Sequence, residues 1–330
     1  MTSENNTNKE KKEILFYYES RQNPNGDPGF ENQPRMMPDG TIMVTDVRIK
    51  RTMRDYAKKT WNEILFVDYD EDGNPVKADE RAKEIINPPN NKTKNLDADA
   101  IKSLLKKTFD VPLFGAFLPI RSDKNKSDED VGSSQKLTGP LQFGIGRSVN
   151  QVQLINPLIS SRFVGKENTQ REQQFSTFGR FYSVEYALIK IHGALNPENL
   201  DKHFDDRDIK QHFTEAENHI FECLWNGTNE LVTRSKFPQR SILYIEITYK
   251  NTIYNDLPDL VEENENLKKR TCSLGESPFK FDKLEAMIDE RQEKISKIKV
   301  KGCPEISEAI DQLINSINSK RANLVEKIAN

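Results

Sequence analysis

Cysteine is scarce in this 330-residue chain: Cys223, Cys272 and Cys303 form an odd, scattered set with no CxxC pair. That argues against a disulfide framework and against structural zinc, and fits thiols kept reduced in a cytosol. The four histidines, His192, His203, His212 and His219, show neither HExxH nor HxH spacing, so no metal or other cofactor is expected. No GxSxG elbow, P-loop or Cys/His pairing stands out, and the chain is expected not to be an enzyme. Nowhere do roughly 18 apolar residues run together, and the start, MTSENNTNKEKK, has no apolar h-region. The expectation is a soluble, cytoplasmic protein without a membrane span, its residues 1–12 a disordered tail. An excess of one charge sign is missing too, with 49 basic residues against 52 acidic ones.

What the chain does have is a concentrated stretch from Ile14 to Trp61. Ile14 to Tyr18 (ILFYY) are five apolar or aromatic residues in a row, as in a strand covered on both faces. Asn23 to Pro28 (NPNGDP) then breaks any regular element, and its fixed and positive φ values predict a shaped loop with exposed N–H groups. A helix follows, capped by Thr45 or Asp46, with Ile49, Met53, Tyr56, Ala57, Thr60 and Ile64 on one face. Lys50, Arg54 and Lys58 stand at i, i+4 and i+8 with Arg51 on their flank. Asp46 answers Lys50, but Arg54 and Lys58 have no acid at i±4, so the stripe costs the helix stability unless anions answer it. Residues 45–60 hold Arg48, Lys50, Arg51, Arg54, Lys58 and Lys59 against Asp46 and Asp55, whereas residues 63–72 hold five acids and no base. A solvated face explains such a run equally well, but the run follows a rigid loop carrying Arg21 and Arg35, and a polyanion site competes with it.

The remaining chain reads as insertions around a core. Residues 63–110 are expected to form a charged helical insertion, with helix candidates at Asp79 to Ile86 and Asp97 to Phe109 and its acids facing away from any bound polyanion. Residues 119–138 are polar and Ser-rich, a mobile loop. Pro140 to Val149 is a strand carrying Gly144 and Gly146, and GIGRS falls short of a dinucleotide fingerprint. Residues 151–179 alternate as a hairpin, and Phe181 to Ile191 is a strand with Glu185, Ala187, Ile189 and Ile191 on one face. Thr214 with Glu217 is a capping box for a helix ending at Gly227, and Ile242 to Tyr249 is the closing strand. Strand, helix, strand, strand, helix, strand is the ferredoxin-like order of RNA-recognition folds, an α+β class spanning residues 13–250. Beyond it, residues 251–330 read as a helical extension, in which Phe281 to Lys299 and Glu305 to Ile328 show apolar residues every three or four positions, an αα-hairpin.

The strand, NPNGDP, Pro34-Arg35 and VTDVRIKRTMRDY together resemble the backbone subunit of the CRISPR Cascade complex, the seventh family of Cas proteins, and its type I-B branch in particular. DVPLFGAF, LTGPLQFGIGRSVNQ, FSTFGRFYSVEYALIKIHGALNP and LWNGTNELVTRSKFPQRSILYIEITY look like its later blocks in the same order, so the resemblance covers about two thirds of the chain. It implies an RRM-like palm with a thumb hairpin at residues 151–179, polymerising head to tail along the guide part of a crRNA for pairing with target DNA in antiviral defence. It implies further partners: the complex's large subunit and the subunit capping the 5′ handle. Carried over for RNA binding are Asn25, Gly26, Thr45, Lys50, Arg51 and Arg54, joined by Arg35, Arg48, Arg147, Arg162, Arg180 and Arg240. Two alternatives stand beside it: a metal-dependent RNA-cleaving subunit of the type III kind, using Asp27 or Asp46, and a stand-alone single-stranded RNA-binding protein.

Overall fold

The computed structural model describes residues 10–70, 72–87, 96, 99–119, 134–156, 158–161 and 177–329. The strand β1, Lys11–Ser20, is the spine, buried from Glu13 onward. Successive side chains of a strand point to opposite faces. Here Ile14, Phe16 and Tyr18 enter one apolar cluster, while Leu15 and Tyr17 enter another. The five-residue apolar run is therefore what a strand sandwiched between two cores requires.

The sheet around it contains β2 (Met43–Val44), β3 (Leu141–Phe143), β4 (Gly146–Ser148), β5 (Ala187–Leu195), β6 (Gln239–Tyr249), β7 (Ile295–Gly302) and β8 (Val325–Lys327). Its order is β8-β7-β6-β1-β5-β4-β2, with β3 also paired to β5. All of these pairings are antiparallel except β7 with β8, so this is a mixed α+β fold with a mixed central sheet. The expected single strand from Pro140 to Val149 is interrupted at Gly144 and Ile145, and both halves pair with β5. The expected strand from Phe181 is set later: β5 starts at Ala187, with Ala187, Ile189 and Ile191 in the first cluster, and Glu185 lies before it.

The longer helices are α1 (Asp46–Trp61), α2 (Ala78–Ile86), α3 (Ala100–Lys107), α4 (Arg207–Asn218), α5 (Ile220–Asn229), α6 (Asp282–Arg291) and α7 (Ser307–Lys320). The first five pack on the Ile14 face. Thr45 caps α1, and Ile49, Met53, Tyr56 and Ala57 are buried, but the helix stops at Trp61 and leaves Ile64 half-exposed. Asp206 caps α4, accepting from the N–H groups of Asp208 and Ile209; Thr214 is mid-helix and donates to the Lys210 carbonyl, so no capping box forms there. Nor does Gly227 end a helix. It lies inside α5, where a β-carbon would come within 3.1 Å of Tyr56 Cβ on α1, so glycine is there to let two helices touch.

The C-terminal expectation fails in an instructive way. Phe281 to Lys299 is not one helix: α6 ends at Arg291 and the chain returns as β7 against β6, so residues 251–330 extend the same sheet and no αα-hairpin forms. The pairing shifts register between Thr248 and Tyr249, which sets the buried Ile295 and Ile298 three positions apart. A bulge thus reproduces a helical spacing inside a strand. Residues 135–138, expected in a loop, pair with Gly115–Leu118, and residues 120–133 lie outside the described residues. At the expected thumb, Leu158–Ser161 pairs antiparallel with Thr177–Arg180; residues 162–176, Arg162 among them, are outside the described residues. Among the described residues no helix is long and apolar enough to cross a membrane.

Candidate nucleic-acid interface

The loop after β1 is closely packed, with Asn23 and Asn25 buried. Gly26 and Asp27 pair with Gln33 and Pro34, and a β-carbon on Gly26 would sit 2.8 Å from the Asn32 carbonyl oxygen. Glycine is required by that close approach; the positive φ values expected within NPNGDP occur later, at Glu31 and Asn32. Asn25 fastens the loop to α1, its Oδ1 accepting from the Thr45 N–H at 2.8 Å and the Thr45 hydroxyl at 2.9 Å. Thr45 Oγ1 in turn accepts from the Arg48 N–H at 3.3 Å, the capping bond. Asn25 and Thr45 therefore fix the angle between loop and helix.

Between loop, helix and the insertion after Trp61 lies a cleft of about 660 Å³. Its lining includes Asn25, Gly26, Arg35, Thr45, Arg48, Arg51 and Arg54, the acids Asp46 and Asp68, and Val67 and Tyr69. Arg35 stands 3.6 Å from Asp27, and its Nε is buried with no hydrogen-bond partner. Arg51 is paired with Asp55 and lies over the Tyr69 ring, 4.5 Å from its centroid. Arg48 donates to Thr52 Oγ1 at 3.0 Å, and burial lowers its guanidinium from the ordinary range without discharging it. Val47, Val67 and Tyr69 are exposed although apolar or aromatic. Cations beside an open aromatic ring and apolar side chains form a surface for a charged chain with flat bases.

Of the expected i, i+4, i+8 stripe only Arg54 lines the cleft. Arg54 is buried and its Nε donates to Asp110 at 2.7 Å. Lys50 turns to Asp46 and to Gln142 Oε1, at 3.2 and 2.9 Å. Lys58 pairs with Asp68, an acid of the insertion that points back at the helix and not away from it. The pair at the cleft is Arg48 and Arg51, half-buried and about one turn apart, with Arg35 also in the lining. Arg147 lies apart on β4, donating to Asp39 at 2.9 Å. Arg240 is held between Glu19 and Glu305, whose carboxylates raise its guanidinium further. Arg180 ends a strand whose side chains lie outside the described residues. Asp27 accepts from the Gly29 N–H at 3.0 Å and Asp46 pairs with Lys50, so each of these carboxylates has a local structural task.

Sequence reasoning missed Tyr69 and Val67, because their run of acidic neighbours reads as a solvated turn. It missed Asp110, which has no helical neighbour relation to Arg54.

The family model described as CRISPR-associated protein Cas7 matches residues 10–282. The chain belongs to the Cas7 family. A CRISPR-associated protein Cas7 of Haloferax volcanii is 24% identical over 315 residues, covering 88% of this chain and 86% of that one. A chain from a solved CRISPR RNA-guided surveillance complex in a pre-nicking state shares the fold at a TM-score of 0.50 with 10% identity, covering 97% of this chain and 96% of its own. Another such complex gives a TM-score of 0.46 at 11% identity, covering 89% and 88%. The Cas7 match includes the loop, α1, the insertion and β6; α7 and β8 lie beyond it.

Proposed function

We propose that this Cas7-family chain is the backbone subunit of a Cascade-like complex of type I-B. Copies assemble head to tail along the guide region of crRNA, beside a large subunit and a 5′-handle-capping subunit, in the cytoplasm. The guide's phosphates run in the cleft and its bases remain for pairing with target DNA, so the protein carries no sequence preference of its own. The observation that carries this is the cleft itself, with Arg35, Arg48 and Arg51 lining it together with Tyr69 and Val67. Support for an RRM-like palm comes from the strand order β6-β1-β5 followed by β3 and β4, with α1, α4 and α5 on one face. Asp27 and Asp46 serve as turn cap and ion-pair partner, so this reading assigns them no cleavage chemistry.

The test is to purify the full chain from its native host with its bound RNA and sequence that RNA. The expected result is a set of RNAs sharing repeat-derived ends and differing in the guide between them. A broad sample of cellular transcripts would leave a general single-stranded RNA-binding protein instead.

A further inference from the structure

Beside the Asn23–Asp27 loop runs a second one, Leu231 to Pro238 (LVTRSKFP), between α5 and β6. It carries Arg234 and Lys236 and no acid. The two loops are laced together: the Asn23 N–H donates to the Ser235 carbonyl at 3.0 Å and the Arg21 N–H to the Pro238 carbonyl at 3.4 Å. Lys236 reaches back under the first loop and its Nζ donates to the Asn23 carbonyl at 2.7 Å. Among the described residues that is its one hydrogen bond, which leaves two ammonium protons without a protein acceptor.

The charge acting on Lys236 is another cation, Arg48 of α1. Carboxylates on the surrounding elements are engaged elsewhere: Glu19 with Arg240, Asp27 near Arg35, Asp46 with Lys50, Asp55 with Arg51 and Glu230 with Lys59. Tyr18, deeply buried beside Arg48, is held neutral by desolvation. Arg234 lies over the Phe181 ring at 5.7 Å, next to the strand Thr177–Arg180, while Val232 and Phe237 are exposed. Burial makes the Lys236 ammonium unfavourable in the free protein, with Arg48 acting on it as a like charge, and an anion beside it removes the cost.

We propose that the Leu231–Pro238 loop is a second wall of the nucleic-acid track, with Lys236 and Arg48 together holding one backbone phosphate against the Asn23–Asp27 loop. The ligand's identity as RNA rests on the function proposed above. A pH signature follows from the geometry. Burial, and then Arg48, bring the Lys236 ammonium down to about 8 in the free protein. A phosphate beside it returns it toward its ordinary value, so binding above about pH 8 takes up a proton from solvent, and binding near pH 7 takes up almost none. The contribution to affinity is complete below about pH 8 and declines as pH rises from there toward the value in the complex.

The experiment measures affinity of the full chain for an adenosine homopolymer RNA, whose bases do not titrate in this range, from about pH 7 to about pH 9. The wild type is expected to lose affinity about tenfold across that interval. Lys236→Met should bind more weakly at neutral pH, respond little to pH, and show a salt slope flatter by about 0.7. Lys236→Arg keeps the charge and should retain neutral-pH affinity while losing the pH response, an outcome that misfolding does not give. A wild type that binds RNA with a flat pH response, or variants that both keep the tenfold loss, would overturn the second wall alone. A wild type that binds no RNA would overturn the function proposed above and this inference with it.

Discussion

Asp110→Ala is expected to cost about 3–5 kcal/mol of folding stability, the largest loss from any single side chain near the cleft. Asp110 is 1% exposed and accepts three bonds: from Arg54 Nε at 2.7 Å, the Phe66 N–H at 2.8 Å and the Val67 N–H at 3.0 Å. Removing it strands a buried guanidinium and two amide donors together, and an unpaired buried charge is far costlier than the pair is favourable. Asp110→Asn keeps one acceptor oxygen and should cost less. Denaturant unfolding checks this, the midpoint falling with an unchanged slope. A loss below about 1 kcal/mol would mean that Arg54 and Asp110 are not the closed pair described. The consequence for function is specific. This carboxylate ties the segment bearing Val67 and Tyr69 to α1, so RNA binding lost on replacing Arg54 includes a folding effect.

Replacing Arg35 and Arg51 together by Ala should weaken RNA binding about a hundredfold, since each charge-assisted hydrogen bond to phosphate contributes about 1.5 kcal/mol or more. The salt dependence should flatten by about 1.4, two phosphate contacts at roughly 0.7 each for a single strand. Stability should change little, because the Arg51–Asp55 pair is a partly exposed i,i+4 contact worth a few tenths of a kcal/mol, roughly. Lys50→Ala is the contrast: Lys50 is engaged with Asp46 and Gln142, so its loss should leave RNA affinity nearly unchanged. Filter binding or fluorescence anisotropy across several unrelated RNA sequences measures both variants. A loss confined to one sequence would contradict a track that grips only backbone.

Much of this site is legible in the sequence because its parts are local. The apolar run at Ile14 to Tyr18, the breakers in NPNGDP and the Thr45 cap each act within a few residues, and the structure joins them as those short-range rules require. What the sequence conceals is long-range. The acids that answer Arg54 and Lys58 come from Asp110 and Asp68, beyond any i±4 rule, so a stripe that reads as unanswered is largely neutralised. The aromatic part of the cleft's lining is concealed for the same reason, since Tyr69 reads as part of an acidic turn until Arg51 is seen over its ring. Ile295 and Ile298 mislead differently: a bulge gives a strand the apolar spacing of a helix. Lys236 carries no signal in its neighbours, and its isolation from carboxylates is visible only once two loops and a helix are packed together.

The most direct test of the backbone assignment is the mass of the assembly as a function of RNA length, measured by light scattering on the full chain. A subunit that contacts its neighbours head to tail has no closed symmetry to stop its growth, so bound RNA sets the length. The account predicts small species without RNA and a mass rising in regular steps as the RNA lengthens, whatever its sequence. A mass that stays constant while the RNA grows would contradict it.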